Sequence, residues 1–479
     1  MLQIDYAGCL AERVGDEHGI NAKDIAPGTP AAQRVSELTA RLEQTRGTNW
    51  ERWRLLAEPG ANGTRDAHAS AVKEVANAHS GKWESMLVLG IGGSALGNIA
   101  LQSALNPIAW NLLPKSDRGG HPRVFVVDNV DPVNLASVLD VIDPKTTLFN
   151  VISKSGETAE TAAQFMIVRD LLNKAVGDEA KNHVVAITDA NKGTMRTICD
   201  TEGYTTLPVP DGVGGRFSVL SPVGLFSAAM AGIDIDALLD GAHEMETRCR
   251  EADLHKNPAA MLATLLVHLG TGCYRSEGGE AKPNHVLMPY ANGLYLLADW
   301  FRQLWAESLG KKVNTQGEDV FAGFTPIKAL GATDQHSQVQ LYREGPNDKV
   351  FGFMEVESFD RDLTIPAGLG VEALSYLEGQ PMSKLLNAEK RATEYAMYES
   401  KRPHFTLKFP KVDAHHVGEF IMLWQVTTAY AGLMLDIDAY DQPAVETGKK
   451  ATFGLMGRDG YAEWQGKVDG ALNRTGHVV

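Results

Sequence analysis

Four short apolar runs, at 86–90, 123–128, 147–152 and 183–188, alternate with stretches of helical character near 95–106, 132–140 and 157–174. Runs that are apolar almost throughout, rather than at every second residue, make strands buried on both faces. The helices between them must cover those faces, which dictates a parallel α/β sheet. The pattern returns downstream, with a strand at His285-Val-Leu-Met-Pro289, a long helix over 292–309, strands near 350–356 and 404–409, and a helix over 413–434. The chain therefore divides into a largely helical arm (1–80), a first α/β lobe (81–235), a helical connection (236–283), a second α/β lobe (284–439) and a Gly-rich polar tail with a short helix (440–479). No low-complexity linker separates the lobes, so they are expected to pack tightly around a ligand cleft.

Composition narrows the function. With a net charge of −15 over 479 residues, the surface disfavours nucleic acid and anionic membranes. An anionic ligand would need a local concentration of N–H groups, Lys and Arg. Cys9, Cys199, Cys249 and Cys273 are scattered, with no Cys-x-x-Cys pair, which argues against a disulfide framework or a zinc site and fits a reducing cytoplasm. There is no basic-then-apolar leader and no apolar stretch of about 18 residues, so neither a signal peptide nor a membrane span is expected. His415-His416 and the other histidines lack metal-ligand spacing, and no metal is expected.

Two strands of the first lobe run into loops of small and hydroxylated residues: Gly90-Ile-Gly-Gly93-Ser94-Ala-Leu-Gly97 and Ser153-Lys154-Ser155-Gly156-Glu157-Thr158. Such loops turn backbone N–H groups, hydroxyls and a Lys toward an anion at a helix N-terminus. The first loop matches neither the dinucleotide nor the Walker spacing, and alone it reads equally well as a tight strand–helix turn. In the second, one hydroxyl would suffice to cap a helix; three with Lys154 favour anion binding. Arg216 follows Gly212, Gly214 and Gly215 and could reach a ligand or simply pair at a helix start. Glu307 stands four residues beyond Gln303, at the edge of the stripe Leu294, Leu297, Phe301 and Leu304, with Trp300 and Trp305 to either side. A partly desolvated carboxylate there suits a proton acceptor, while a surface pair with Lys311, one helical turn on, is the plainer alternative. His336 and Lys449 are unremarkable when read singly.

In this order the segments resemble the glucose-6-phosphate isomerase family. The resemblance rests on Gly90-Ile-Gly-Gly-Ser94; Ser153-Lys-Ser155 with Thr158; Gly214-Gly-Arg216-Phe-Ser218; Gln303-x-x-x-Glu307-Ser-x-Gly-Lys311; and Asp334-Gln-His336 with Gln442…Val-Glu-x-Gly-Lys449. It implies two sugar-isomerase lobes and interconversion of D-glucose 6-phosphate and D-fructose 6-phosphate through an enediol(ate), in glycolysis and gluconeogenesis, with no cofactor. It also implies roles. Ser153, Ser155 and Thr158 would clamp the phosphate with Lys154 beside them, and Gly93 and Ser94 would line the sugar side. Glu307 would move the proton and Arg216 would stand beside the developing enediolate. Gln303 and Gln442 would be further substrate-binding positions. His336 and Lys449 would assist ring opening, with His336 arriving from the other subunit of a homodimer. A sugar-phosphate isomerase of broader epimer use and a non-catalytic sugar-phosphate-binding module are the alternatives. Glu157 departs from the family's neutral or hydroxyl residue and is expected to face solvent from the first turn of the following helix. The tail beyond 456 carries no assigned role.

Overall fold

In the computed structural model, which describes residues 1–273 and 278–472, twelve strands from β1 (Gln3–Asp5) to β12 (His404–Lys411) form two five-stranded sheets and one hairpin. The first sheet contains β2 (Ser85–Leu89), β3 (Arg123–Val127), β4 (Thr147–Ile152), β5 (Val184–Thr188) and β6 (Thr205–Pro208), in the order β3-β2-β4-β5-β6. All its pairings are parallel, with Leu89 opposite both Val127 and Val151. Every residue of β2, β4 and β5 is buried, as near-continuous apolar runs require. The chain leaves β2 for β3 on one side and returns to β4 on the other. The strand order therefore reverses between β2 and β4, which is where open α/β sheets leave a crevice beyond their carboxyl ends.

The second sheet contains β7 (Asn284–Pro289), β10 (Thr325–Lys328) and β11 (Lys349–Ser358), in the order β1-β12-β11-β7-β10. It is parallel except for β1, which pairs antiparallel with β12. The strands β8 (Lys311–Val313) and β9 (Asp319–Ala322) make the separate hairpin. Three sheet strands escape the hydrophobic pattern, and all three are edges. β1 and β6 are three and four residues long, β6 ends in Pro208, and β10 carries Pro326. An edge strand has one face of its backbone unpaired, so it tolerates Pro and polar residues that a central strand rejects.

Helices cover both sheets, and alternate strand residues feed different cores. Met86 and Val88 join one large cluster with Trp53, Phe226, Trp305 and Trp424. Leu87 and Leu89 join a cluster on the opposite face with Phe149 and Phe165. Val286 and Met288 of β7 face a third with Tyr290 and Phe353. The large cluster draws on the arm, both lobes and the connection, so the lobes share a core. Its axis is the Ala414–Met434 helix, capped by Asp413 Oδ1 accepting the His416 N–H at 2.9 Å and buried on nearly all sides. The tail is more ordered than its composition suggests. It forms two short helices, Val445–Leu455 and Ala462–Leu472, that pack on each other; residues 473–479 lie outside the described residues. Among the described residues no helix is long and apolar enough to cross a membrane.

Candidate active site

The helix that carries Glu307, Tyr295–Leu309, is held by a wider buried face than its stripe predicts. Trp300 and Trp305, expected at the flanks, lie in the core beside Leu297, Phe301 and Leu304. Phe301 meets Trp424 with ring centroids 4.3 Å apart, and Trp305 meets Trp424 edge-on at 5.8 Å. Burying each such side chain contributes roughly 2–3 kcal/mol. Trp305 Nε1 donates to His285 Nδ1 of β7 at 3.0 Å. Burial pushes His285 down to about 3, so the ring is neutral and can accept that bond. The helix is thereby fixed on the second sheet, with its C-terminal turn facing the first lobe.

There Glu307 meets Arg216. Arg216 is 3% exposed, and all five N–H groups of its guanidinium have acceptors. Nε donates to Ser308 Oγ at 2.7 Å; Nη1 donates to Glu307 Oε1 at 3.1 Å and Gln442 Oε1 at 2.9 Å; Nη2 donates to the carbonyls of Ala439 at 2.7 Å and Asp441 at 3.2 Å. Burial pulls the guanidinium below its usual range, and the charge of Glu307 opposes that shift. The other carboxylate oxygen of Glu307 accepts from Gln303 Nε2 at 3.0 Å. Glu307 itself keeps 29% of its side chain exposed, so a rigidly aimed carboxylate borders solvent. A cavity of about 380 Å³ lined by Glu307, Lys311, Gln442 and Ala444 opens beside it. The surface pair with Lys311 does not form. Lys311 Nζ instead donates to the backbone carbonyls of Glu307 at 3.0 Å and Ser308 at 2.8 Å. It caps the negative end of the helix, and burial together with the nearby Arg216 lowers its pKa.

The first loop closes on this corner through backbone contact. A Cβ on Gly93 would lie 2.1 Å from the carbonyl carbon of Gly215, and one on Gly92 would lie 3.1 Å from Gln303 Nε2. Only Gly at 93 lets the 90–94 loop seat against the turn that presents Arg216. Ser94 is half-buried in the same loop.

The second loop leaves β4 next to it, at the reversal of strand order. Ser153 Oγ accepts the Gly156 N–H at 3.0 Å, and Ser155 Oγ accepts the Glu157 N–H at 3.2 Å. Both hydroxyls then retain a proton to donate. Gly156 has φ +78°, and a Cβ there would meet the Met195 nitrogen at 2.2 Å. Thr158 stands at the N-cap of Ala159–Val176 without a side-chain capping bond, so its hydroxyl is not spent on the helix. Lys154 Nζ lies 3.9 Å from Asp211 Oδ1 and 5.8 Å from the centroid of the Trp50 ring. Glu157 is exposed, as expected, but it precedes the helix instead of opening it, and its carboxylate pairs with Arg458.

The corner thus gathers Arg216, Glu307, Gln303, Gln442 and Gly93, with the Ser153–Thr158 loop on the neighbouring strand. His336 and Lys449 are not drawn in. His336 is exposed in a short turn, Thr333–His336, beyond the carboxyl end of β10. Lys449 Nζ pairs with Glu446 at 2.8 Å. No hydrogen bond or ion pair among the described residues connects either to Glu307 or Arg216. Ser308 Oγ and the carbonyls of Ala439 and Asp441 also build the site; Ser308 stands in the Glu307-Ser-x-Gly-Lys311 motif without an expected role, and no motif signals a backbone acceptor. His415, His416 and Glu419 bring ligand atoms within 4.8 Å of one another, yet His416 Nδ1 bonds Asp413 Oδ1 at 2.7 Å and Glu419 Oε2 accepts the Leu2 N–H at 2.7 Å. That trio is already engaged by the chain.

Comparison with known proteins identifies the family. Residues 71–457 match the family model described as phosphoglucose isomerase. The glucose-6-phosphate isomerase of Carboxydothermus hydrogenoformans is 48% identical over 388 residues, covering 81% of this chain and 82% of that protein. The enzyme of the same name from Rubrobacter xylanophilus is 42% identical over 444 residues, covering 91% and 96%. Among solved structures, a hypothetical protein from Thermus thermophilus superposes with a TM-score of 0.81 at 34% identity, covering 95% of this chain and 100% of that one. A glucose-6-phosphate isomerase from Chlamydia trachomatis shares the fold, with a TM-score of 0.76 at 22% identity and coverage of 92% and 88%.

Proposed function

The chain belongs to the phosphoglucose isomerase family, and from that premise we propose that the Arg216–Glu307 corner carries out its proton transfer while the 153–158 loop holds the substrate phosphate. The reaction interconverts D-glucose 6-phosphate and D-fructose 6-phosphate, an aldose–ketose exchange. Once the ring is open, a proton must leave the carbon next to the carbonyl and return to its neighbour, with negative charge collecting on oxygen in between. Glu307 is the group for that transfer: it is held at both oxygens, yet it borders an open cavity. Arg216 has every donor committed in this state. It therefore aims the carboxylate and supplies a fixed positive charge, which stabilises the charged intermediate more than the neutral sugar. The first lobe provides the phosphate grip and the second provides the base, so binding of the remote phosphate orients the reacting carbons.

His336 and Lys449 take the ring-opening step in this reading. The exposure of His336 supports its delivery to the site of a second subunit, and hence a homodimer. The scattered cysteines support a cytoplasmic setting.

The observation that carries the assignment is the 3.1 Å pairing of buried Arg216 with partly exposed Glu307. Glu307→Gln preserves the shape and removes the base. A coupled assay from fructose 6-phosphate should show turnover about 10³-fold lower with KM little changed; substantial residual turnover removes Glu307 from the central role. Mixed dimers of His336→Ala and Glu307→Gln chains should regain activity if sites are shared. Verified heterodimers that stay inactive would refute the sharing.

A further inference from the structure

Glu157 is an acid in the middle of a loop suited to an anion, and its partner comes from the far end of the chain. Oε2 accepts from Arg458 Nη2 at 3.2 Å, and Oε1 accepts from Thr194 Oγ1 at 3.4 Å. Arg458 lies just past the residues matched by the family, which end at 457, in the turn between Val445–Leu455 and Ala462–Leu472. That turn fixes it independently of Glu157. Its N–H donates to the Phe453 carbonyl at 2.9 Å, and its carbonyl accepts from the Tyr461 N–H at 3.2 Å. Its guanidinium carbon sits 4.5 Å from the Phe453 ring centroid and 5.5 Å from that of Tyr461. The two tail helices thus deliver a preset positive charge to the loop.

Both side chains are about half exposed, so the pair adds little to stability. Its weight falls on the ligand. Glu157 is the chain neighbour of Gly156 and Thr158, so a phosphate seated on this loop lies within about a Debye length, ~8 Å at physiological salt, of its carboxylate. Unpaired, that charge would repel a dianion already approaching a chain of net charge −15.

We propose that Arg458 is a substrate-positioning residue: by pairing with Glu157 it cancels the acidic charge within the 153–158 loop and makes the loop receptive to a sugar-phosphate dianion. The proposal rests on the phosphate-loop reading above. The test uses the full-length enzyme and fructose 6-phosphate in a coupled assay at low and high salt. Arg458→Gln should raise KM about 5- to 10-fold at low salt, less at high salt, with kcat within about twofold. Adding Glu157→Gln should bring KM back to within about twofold of the wild type, and Glu157→Gln alone, which leaves the Arg458 charge uncancelled, should lower KM at low salt. An unchanged KM in Arg458→Gln overturns the proposal. So does a double variant as impaired as Arg458→Gln, because a structural tether, unlike a neutralised charge, is not rescued by removing its partner. Thr158→Val checks the loop itself, since that hydroxyl caps nothing. An unchanged KM there overturns the loop reading and this proposal together, whereas a raised KM there beside an unmoved Arg458→Gln overturns this proposal alone.

Discussion

The Arg216–Glu307 corner and the Ser153–Thr158 loop are built in opposite ways. At the corner, a buried guanidinium spends every donor on fixed acceptors, and the carboxylate it aims stays partly exposed. In the loop, Ser155 and Glu157 are exposed, the serine hydroxyls accept only short local bonds, and a Gly holds the turn. The difference suits the tasks proposed for them. Charge that develops only in the transition state is stabilised best by groups that need not move. A phosphate carries its charge throughout and can be met by hydroxyls and N–H groups that water solvates in the meantime.

Substitutions on the two sides should therefore part company in kinetics. Between Arg216→Lys and Ser155→Ala the larger effect is expected from Arg216→Lys, which keeps a charge but loses the planar fork. Turnover should fall about 10²-fold, and urea unfolding should show a loss of about 3 kcal/mol, the lower end for breaking a buried pair. A Lys variant with wild-type turnover would mean that the corner is merely structural. The smaller effect is expected from Ser155→Ala in the loop: KM for fructose 6-phosphate up about tenfold, kcat nearly unchanged, and unfolding midpoint unmoved. If Ser155→Ala lowered kcat as steeply as Arg216→Lys lowers it, the division between an adaptable grip and a rigid reacting corner would collapse.

Much of the fold is written in near-continuous apolar runs, because a strand covered on both faces has no room for polar residues. β2, β4, β5, β7 and the Ala414–Met434 helix are legible for that reason. β1, β6 and β10 are not, since edges escape the constraint. The site is less legible. Taken alone, Glu307 reads as a surface partner of Lys311, yet the ammonium goes to the backbone at the helix end. Arg216 reads as a lone cation because its acceptors lie 91 to 226 residues away. No local pattern encodes such a meeting; only the family resemblance set these residues side by side. Glu157 shows the same limit, since its partner stands 301 residues downstream.

The reach of Arg216 has a consequence for how the enzyme comes into being. Its guanidinium ties the turn after the first sheet to the end of the Tyr295–Leu309 helix and to the chain at the end of the second lobe. Contacts between segments so distant in sequence carry a loop-closure cost that local contacts do not. Catalytic competence thus requires both lobes to be in place, so activity reports the assembly of the whole chain.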